Sequence, residues 1–193
     1  MIENGSNGLI YTTERFEATV SVDHYLEEYV DVETFLDACK ACPNYGKIWS
    51  CPSYDFDVTE YWKQFKTLEL VAIKIIFDES IAGKEISPEQ QEEINKNSIW
   101  EVKEQLAAEL FEKEKEFPGS VSLSAGSCTL CKDGCTRLAG QPCRYPEKMR
   151  YSIESLGGNV GLTTGRLMEI ELEWMQEGRM PSYFVLVSGL LRP

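Results

Sequence analysis

The sequence predicts an α+β fold: a mixed sheet of about four strands packed with helices, with two cysteine groups carried on loops. Three observations carry this. Short alternating or continuously apolar runs are interleaved with longer stretches of helical period. Helix starts and stops are marked by capping residues, prolines and glycines. The cysteines fall in turn-rich segments beside these elements. At 193 residues the chain has the length of one domain, so residues 1–193 are expected to share one core.

Taken in order, "RFEATVSVD" alternates and ends at a turn, which predicts a strand near Phe16 to Val22. "DVETFLDACKAC" reads as a short helix capped by Asp31, with Val32, Phe35, Leu36 and Cys39 on one face. Cys39 and Cys42 then sit at a helix C-terminus that runs into the turn "PNYG". After Cys51-Pro52, "DVTEYWKQF" is helical, and Leu68 to Phe77 is the clearest strand. Its near-continuous apolar run predicts a central position, buried on both faces.

Ser87, Pro88 and Gln90 form a capping box with proline in the first turn, opening a helix that should run to Phe117 before Pro118-Gly119 stops it. Ile99, Val102, Leu106 and Leu110 make its buried stripe, widened by Trp100, Ala107 and Phe111. Its Glu/Lys-rich face reads as solvated. "SVSLSAG" is a short strand leading into Cys128. Pro146 and Glu147 should open a helix that closes at Gly157-Gly158. "TTGRLMEIELEWMQEG" should form another, capped by Thr163 or Thr164, before a final strand in "SYFVLVSGLL".

Lys and Arg total 19 against 32 Asp and Glu, a net charge of -13. Such a chain repels phosphate backbones and anionic bilayers, so neither nucleic acid nor membrane is an expected partner. No apolar run approaches the roughly 18 residues of a span. The N-terminal "MIENGSNGLIYTTE" lacks the basic and apolar regions of a signal peptide, which places the protein in the cytoplasm. In that reducing compartment, tightly grouped thiols hold metal or do redox work rather than forming a disulfide framework, and seven cysteines cannot all pair within one chain.

The later group is Cys128-x2-Cys131-x3-Cys135-x7-Cys143. The loop "TRLAGQP", with Gly140 and Pro142 as turn-formers, returns the fourth thiol toward the first three. Four thiolates suit tetrahedral zinc or a cubane iron–sulfur cluster, and three of them within eight residues lie closer to a ferredoxin pattern than to paired zinc knuckles. One gap is x3 where that pattern has x2. Lys132, Arg137, Arg144, Lys148 and Arg150 supply cations that either oppose cluster charge or are simply solvated.

The earlier group is Cys39-x2-Cys42-x8-Cys51, followed by Pro52 as at the last ligand of ferredoxin motifs. Three thiolates leave a fourth position. Three answers stand: a 4Fe–4S cluster with one open iron, zinc with a distant fourth ligand such as Asp55, Asp57 or a cysteine of the later group, or metal-free thiols. His24 reads as a surface or capping residue, with distant ligation as the other option. Trp49 reads as a roof beside Cys51, and Ser152 and Glu154 as structural before functional. Gly157, Gly158, Gly161 and Gly165 match no phosphate-loop pattern. One histidine supports no catalytic triad, and no enzymatic activity is assigned.

"ACKACPNYGKIWSCPSYDFD" together with "AGSCTLCKDGCTRLAGQPCRYPEKMRYSIESLGGNV" resembles a family of small prokaryotic predicted metal-binding proteins of unknown function. The resemblance runs from about Phe16 to the final strand. It implies metal ligation by Cys39, Cys42, Cys51, Cys128, Cys131, Cys135 and Cys143, and it matches Arg144, Pro146, Arg150, Ser152 and Glu154 to the family's block after the last cysteine. Ser53 stands where the family has a second proline and Ser155 where it has a smaller residue, and neither change removes a ligand.

The resulting expectation is an iron–sulfur protein for electron transfer or redox-accessory work. Cys128, Cys131, Cys135 and Cys143 would hold a 4Fe–4S cluster, and Cys39, Cys42 and Cys51 a second centre open to a small ligand. A redox partner protein or a small molecule would be its counterpart. The alternatives are a zinc-stabilised structural or regulatory module and a thiol–disulfide switch.

Overall fold

The computed structural model describes residues 10–176 and 178–193. Most of the N-terminal stretch examined for a signal peptide therefore lies outside the described residues. Four strands, β1 (Tyr11–Ser21), β2 (Thr67–Phe77), β3 (Val121–Leu123) and β4 (Tyr183–Arg192), form one sheet in the order β1-β2-β4-β3. Every pairing is antiparallel, with Tyr11 opposite Phe77 and Leu68 opposite Leu191.

β2 is central, as its apolar run predicts. Leu68, Leu70 and Ala72 enter one core, whereas Val71, Ile73, Ile75 and Phe77 enter the other. This is the period-2 alternation of a strand covered on both faces. The first core is closed by α1 (Val22–Tyr29), α3 (Val58–Trp62) and α6 (Val160–Met168), through Tyr25, Trp62 and Met168. α2 (Val32–Ala41), which carries Cys39, borders it without burying a residue. The second core is closed by Val102, Leu106 and Leu110 of α5 (Glu101–Glu116). Among the described residues no helix is long and apolar enough to cross a membrane.

Local chemistry explains the agreements. Asp31 Oδ1 accepts from Thr34 N at 3.0 Å and starts α2. Ser87 and Gln90 make the reciprocal capping box of α4 (Pro88–Asn95).

The departures have tertiary causes. α1 was not anticipated. It follows β1 without a spacer because Ser21 ends the strand and caps the helix, its Oγ accepting from His24 N at 3.3 Å. A π-helical turn at Lys96–Trp100 joins α4 to α5. The extra residue advances the helical phase by about 100°, and Trp100 is 48% exposed rather than part of the stripe. Ala107 is exposed as well.

No helix opens at Pro146. Ser124 bridges Ser152 in parallel, and Ser124 N donates to Tyr151 O at 2.8 Å, which draws the chain out until a 3₁₀ turn forms at Glu154–Leu156. α6 is capped by Asn159, not by a threonine, with Oδ1 accepting from Leu162 N at 2.9 Å. Thr163 instead bonds Asn159 O and the Tyr25 hydroxyl. The helix ends where Glu169 adopts a left-handed conformation, φ 56°, that turns Ile170 into the core.

Candidate metal centre

The first cysteine loop is built by consecutive turns. Cys42 N donates to Cys39 O at 2.9 Å as α2 ends, Gly46 N to Pro52 O at 2.8 Å, and Cys51 N to Ile48 O at 3.0 Å. Gly46 has φ 68°, the left-handed region that glycine occupies without strain. These bonds fold the chain so that Cys51 returns toward Cys39 and Cys42. Burial raises the pKa of Cys51, Ser50 counters it, and the charges of Cys42 and Cys39 raise it further.

The second loop leaves β3 and reaches Cys128, whose N–H donates to Ser50 Oγ at 2.9 Å. A 3₁₀ turn at Thr136–Ala139 ends at Gly140 with φ 64°, and Thr136 Oγ1 donates to Pro142 O at 2.8 Å. The "TRLAGQP" loop thus makes the return that its turn-formers predict. Cys128, Cys131, Cys135 and Cys143 line one cavity of about 120 Å³, walled also by Trp49 and Tyr145. Burial raises the pKa of Cys128, a Leu130 backbone contact lowers it, and the charges of Cys143, Cys131 and Cys135 raise it again. Thiolates that repel one another across a shared cavity are the donor set that a cationic centre relieves.

The two loops form one unit. Asn44 Nδ2 donates to Ser127 Oγ at 3.3 Å and Trp49 Nε1 to Gln141 O at 3.2 Å. Arg137 reaches from the second loop to the first, its Nη1 donating to Ile48 O at 2.8 Å and to Cys51 O at 2.5 Å, and its Nη2 to Ser53 O. Tyr54 Oη donates to Ser50 O at 2.8 Å, and its ring packs with Phe56 and Tyr151, ring centroids 4.8 and 5.0 Å away, as a wall between Cys51 and the core.

The expected cations divide. Arg137 braces the loops, and Arg144 Nη1 donates to Gly134 O at 2.9 Å. Arg150 forms a two-pronged pair with Glu114 at 2.8 and 2.7 Å, and Lys132 and Lys148 are exposed. The sequence reading missed Lys103. Its Nζ donates to Ser127 O at 2.6 Å; burial lowers its pKa, and Cys128, Glu154 and Cys51 oppose that shift. Its spacing held a signal, because Lys103 lies four residues after Ile99 and three before Leu106, on the border of the stripe.

Glu154 was also undervalued. It lines a second cavity, of about 230 Å³, together with Cys39. Ser152 is structural, exchanging hydrogen bonds with Ser155 at 3.0 and 3.2 Å. His24 is on the surface. Asp57 caps α3, with Oδ1 accepting from Glu60 N at 2.9 Å, and Asp55 is exposed.

All seven cysteines are free thiols. Among the described residues, no three His, Cys, Asp or Glu side chains are drawn together around a single metal ion. The four-cysteine cavity, at about 120 Å³, equals about four water molecules of liquid volume. The four thiolates that line it are a donor set for either a tetrahedral zinc ion or a cubane cluster.

Residues 26–191 match the model of a family described as "Predicted metal-binding protein (DUF2284)", and the chain belongs to that family. No curated protein and no solved structure matches it significantly.

Proposed function

We propose that this member of a predicted metal-binding family is an iron–sulfur protein with an electron-transfer or redox-accessory role. The observation that carries the reading is the convergence of Cys128, Cys131, Cys135 and Cys143 on one cavity of about 120 Å³. The placing of Cys128, Cys131 and Cys135 within eight residues, closer to a ferredoxin pattern than to paired zinc knuckles, favours a cluster over a single zinc ion. A 4Fe–4S cluster, when bound, takes up and returns single electrons.

The chain's own residues define the setting. The four thiolates would hold the group, while Trp49 and Tyr145 narrow the access of water. Arg137 fixes the two loops against each other. Lys103 places a cation within electrostatic reach of Cys128 and Cys51, favouring the more negative, reduced state. Cys39, Cys42 and Cys51 would hold a second centre. A redox partner protein or a small molecule would exchange electrons with the pair in the cytoplasm.

Colour is the test. Protein purified without oxygen should be brown, with broad absorbance near roughly 400 nm that bleaches on reduction. Colourless protein containing zinc would contradict the proposal and leave a thiolate-clipped interaction module, since zinc is d10.

A further inference from the structure

Three thiols are one donor short of a complete centre, and a buried carboxylate with one unpartnered oxygen shares a cavity with the first of them, Cys39. Glu154 Oε2 is buried with no hydrogen-bond partner among the described residues. Burial pushes the carboxyl pKa up, opposed by its own backbone amide, the Ser152 hydroxyl and Lys103. A buried carboxylate left in this state is costly unless something pairs with it.

Backbone geometry holds it there. Gly157 ends the Glu154–Leu156 turn with φ 80°, and a Cβ on it would lie 2.8 Å from the Val32 Cα at the start of α2. Asp31 N donates to Gly157 O at 2.8 Å across the same contact. The turn bearing Glu154 is thus pinned to the helix bearing Cys39, and both residues line the 230 Å³ cavity. The two groups carry like charge and repel: Glu154 contributes to the raised pKa of Cys39, after burial and Cys42. The other candidates are placed elsewhere, with Asp57 in the α3 cap, Asp55 exposed, His24 on the surface and the cysteines of the later group around their own cavity.

We propose that Glu154 supplies the fourth protein donor of the Cys39, Cys42 and Cys51 centre, making it a three-thiolate, one-carboxylate site. The inference rests on the reading that these thiols hold an iron–sulfur centre. It gives the one Glu154 carboxylate oxygen that lacks a hydrogen bond a partner, iron.

The test uses full-length protein purified without oxygen from cells grown on 57Fe, as wild type, Glu154→Gln, Glu154→Asp, Cys51→Ser and Glu154→Gln/Cys51→Ser. Iron per chain, the rate of iron release to EDTA and Mössbauer spectra are measured. Wild type should show about one iron in eight with an oxygen-ligated signature beside the thiolate-ligated majority. Glu154→Gln should lose that signature and release iron from this centre about tenfold faster or more, while the four-cysteine centre keeps its iron. Glu154→Asp should retain part of the signature. The double variant should hold no less iron than Cys51→Ser alone.

A Glu154→Gln protein with wild-type content, release rate and spectrum overturns the role of Glu154 and leaves the centre standing. A wild type whose iron is confined to the four-cysteine site overturns both.

Discussion

Arg137 donates through Nη1 to the carbonyl of Cys51 at 2.5 Å, so a guanidinium from the four-cysteine loop braces the three-cysteine loop at one of its own thiol residues. The same nitrogen reaches Ile48 O at 2.8 Å, and the guanidinium lies 5.2 Å from the Trp49 ring centroid. One side chain thereby couples the geometry of both cysteine groups. Arg137→Ala should cost about 2 kcal/mol in urea unfolding, the scale for losing hydrogen bonds from a charged donor. It should speed metal release from both groups. Arg137→Lys should recover only part, since an ammonium cannot reproduce the planar fork.

Cys131→Ser should lose the metal of the four-cysteine site and loosen its loop. Glu112→Gln is the matched control. Glu112 is solvent-exposed on α5 and pairs with Lys115 at 2.6 Å. Its removal should stay within about 0.5 kcal/mol of wild type in thermal or urea unfolding.

Glu114 sets an acid limit on stability. Burial would raise its pKa, but hydrogen bonds from Arg150 and Ser122 outweigh that and hold the carboxyl below its ordinary 4.5. A carboxylate whose folded pKa is depressed contributes stability that is fully present above the unfolded value and is lost as pH falls through the folded one. Urea midpoints of wild type should therefore drop as pH falls below 4.5. Glu114→Gln should flatten that part of the profile. It should also cost about 2 kcal/mol at neutral pH, because the part-buried Arg150 loses its carboxylate and keeps only the carbonyls of Glu147 and Met149.

Lys103 should tune the redox potential. Lys103→Met should shift it negative by about 40 mV, the one-electron equivalent of about 1 kcal/mol of lost charge stabilisation. Lys103→Arg should stay near wild type. Protein-film voltammetry or a dye-mediated titration reads the difference.

Elements specified by local chemistry were legible in the sequence. The β2 run, the Asp31 cap and the Ser87 capping box act within a few residues, and each appears where the sequence places it. Elements decided by distant contacts were not. Pro146 looks like a helix start, but pairing of Ser124 with Ser152 draws that segment out. α1 was hidden because Ser21 both ends a strand and caps a helix.

The candidate site divides in the same way. Cysteine spacing announces the two groups, and Gly140 announces the return of the second loop. The burial of Lys103 and Glu154 comes from elements distant in sequence, which spacing does not record.

The most direct test of the central claim is iron and acid-labile sulfide per chain, measured on protein purified without oxygen, in wild type and in Cys131→Ser. Wild type should carry at least about four irons and four sulfides, and the variant about four fewer of each. One or two zinc ions per chain with no sulfide, or a Cys131→Ser protein with full iron content, would contradict it.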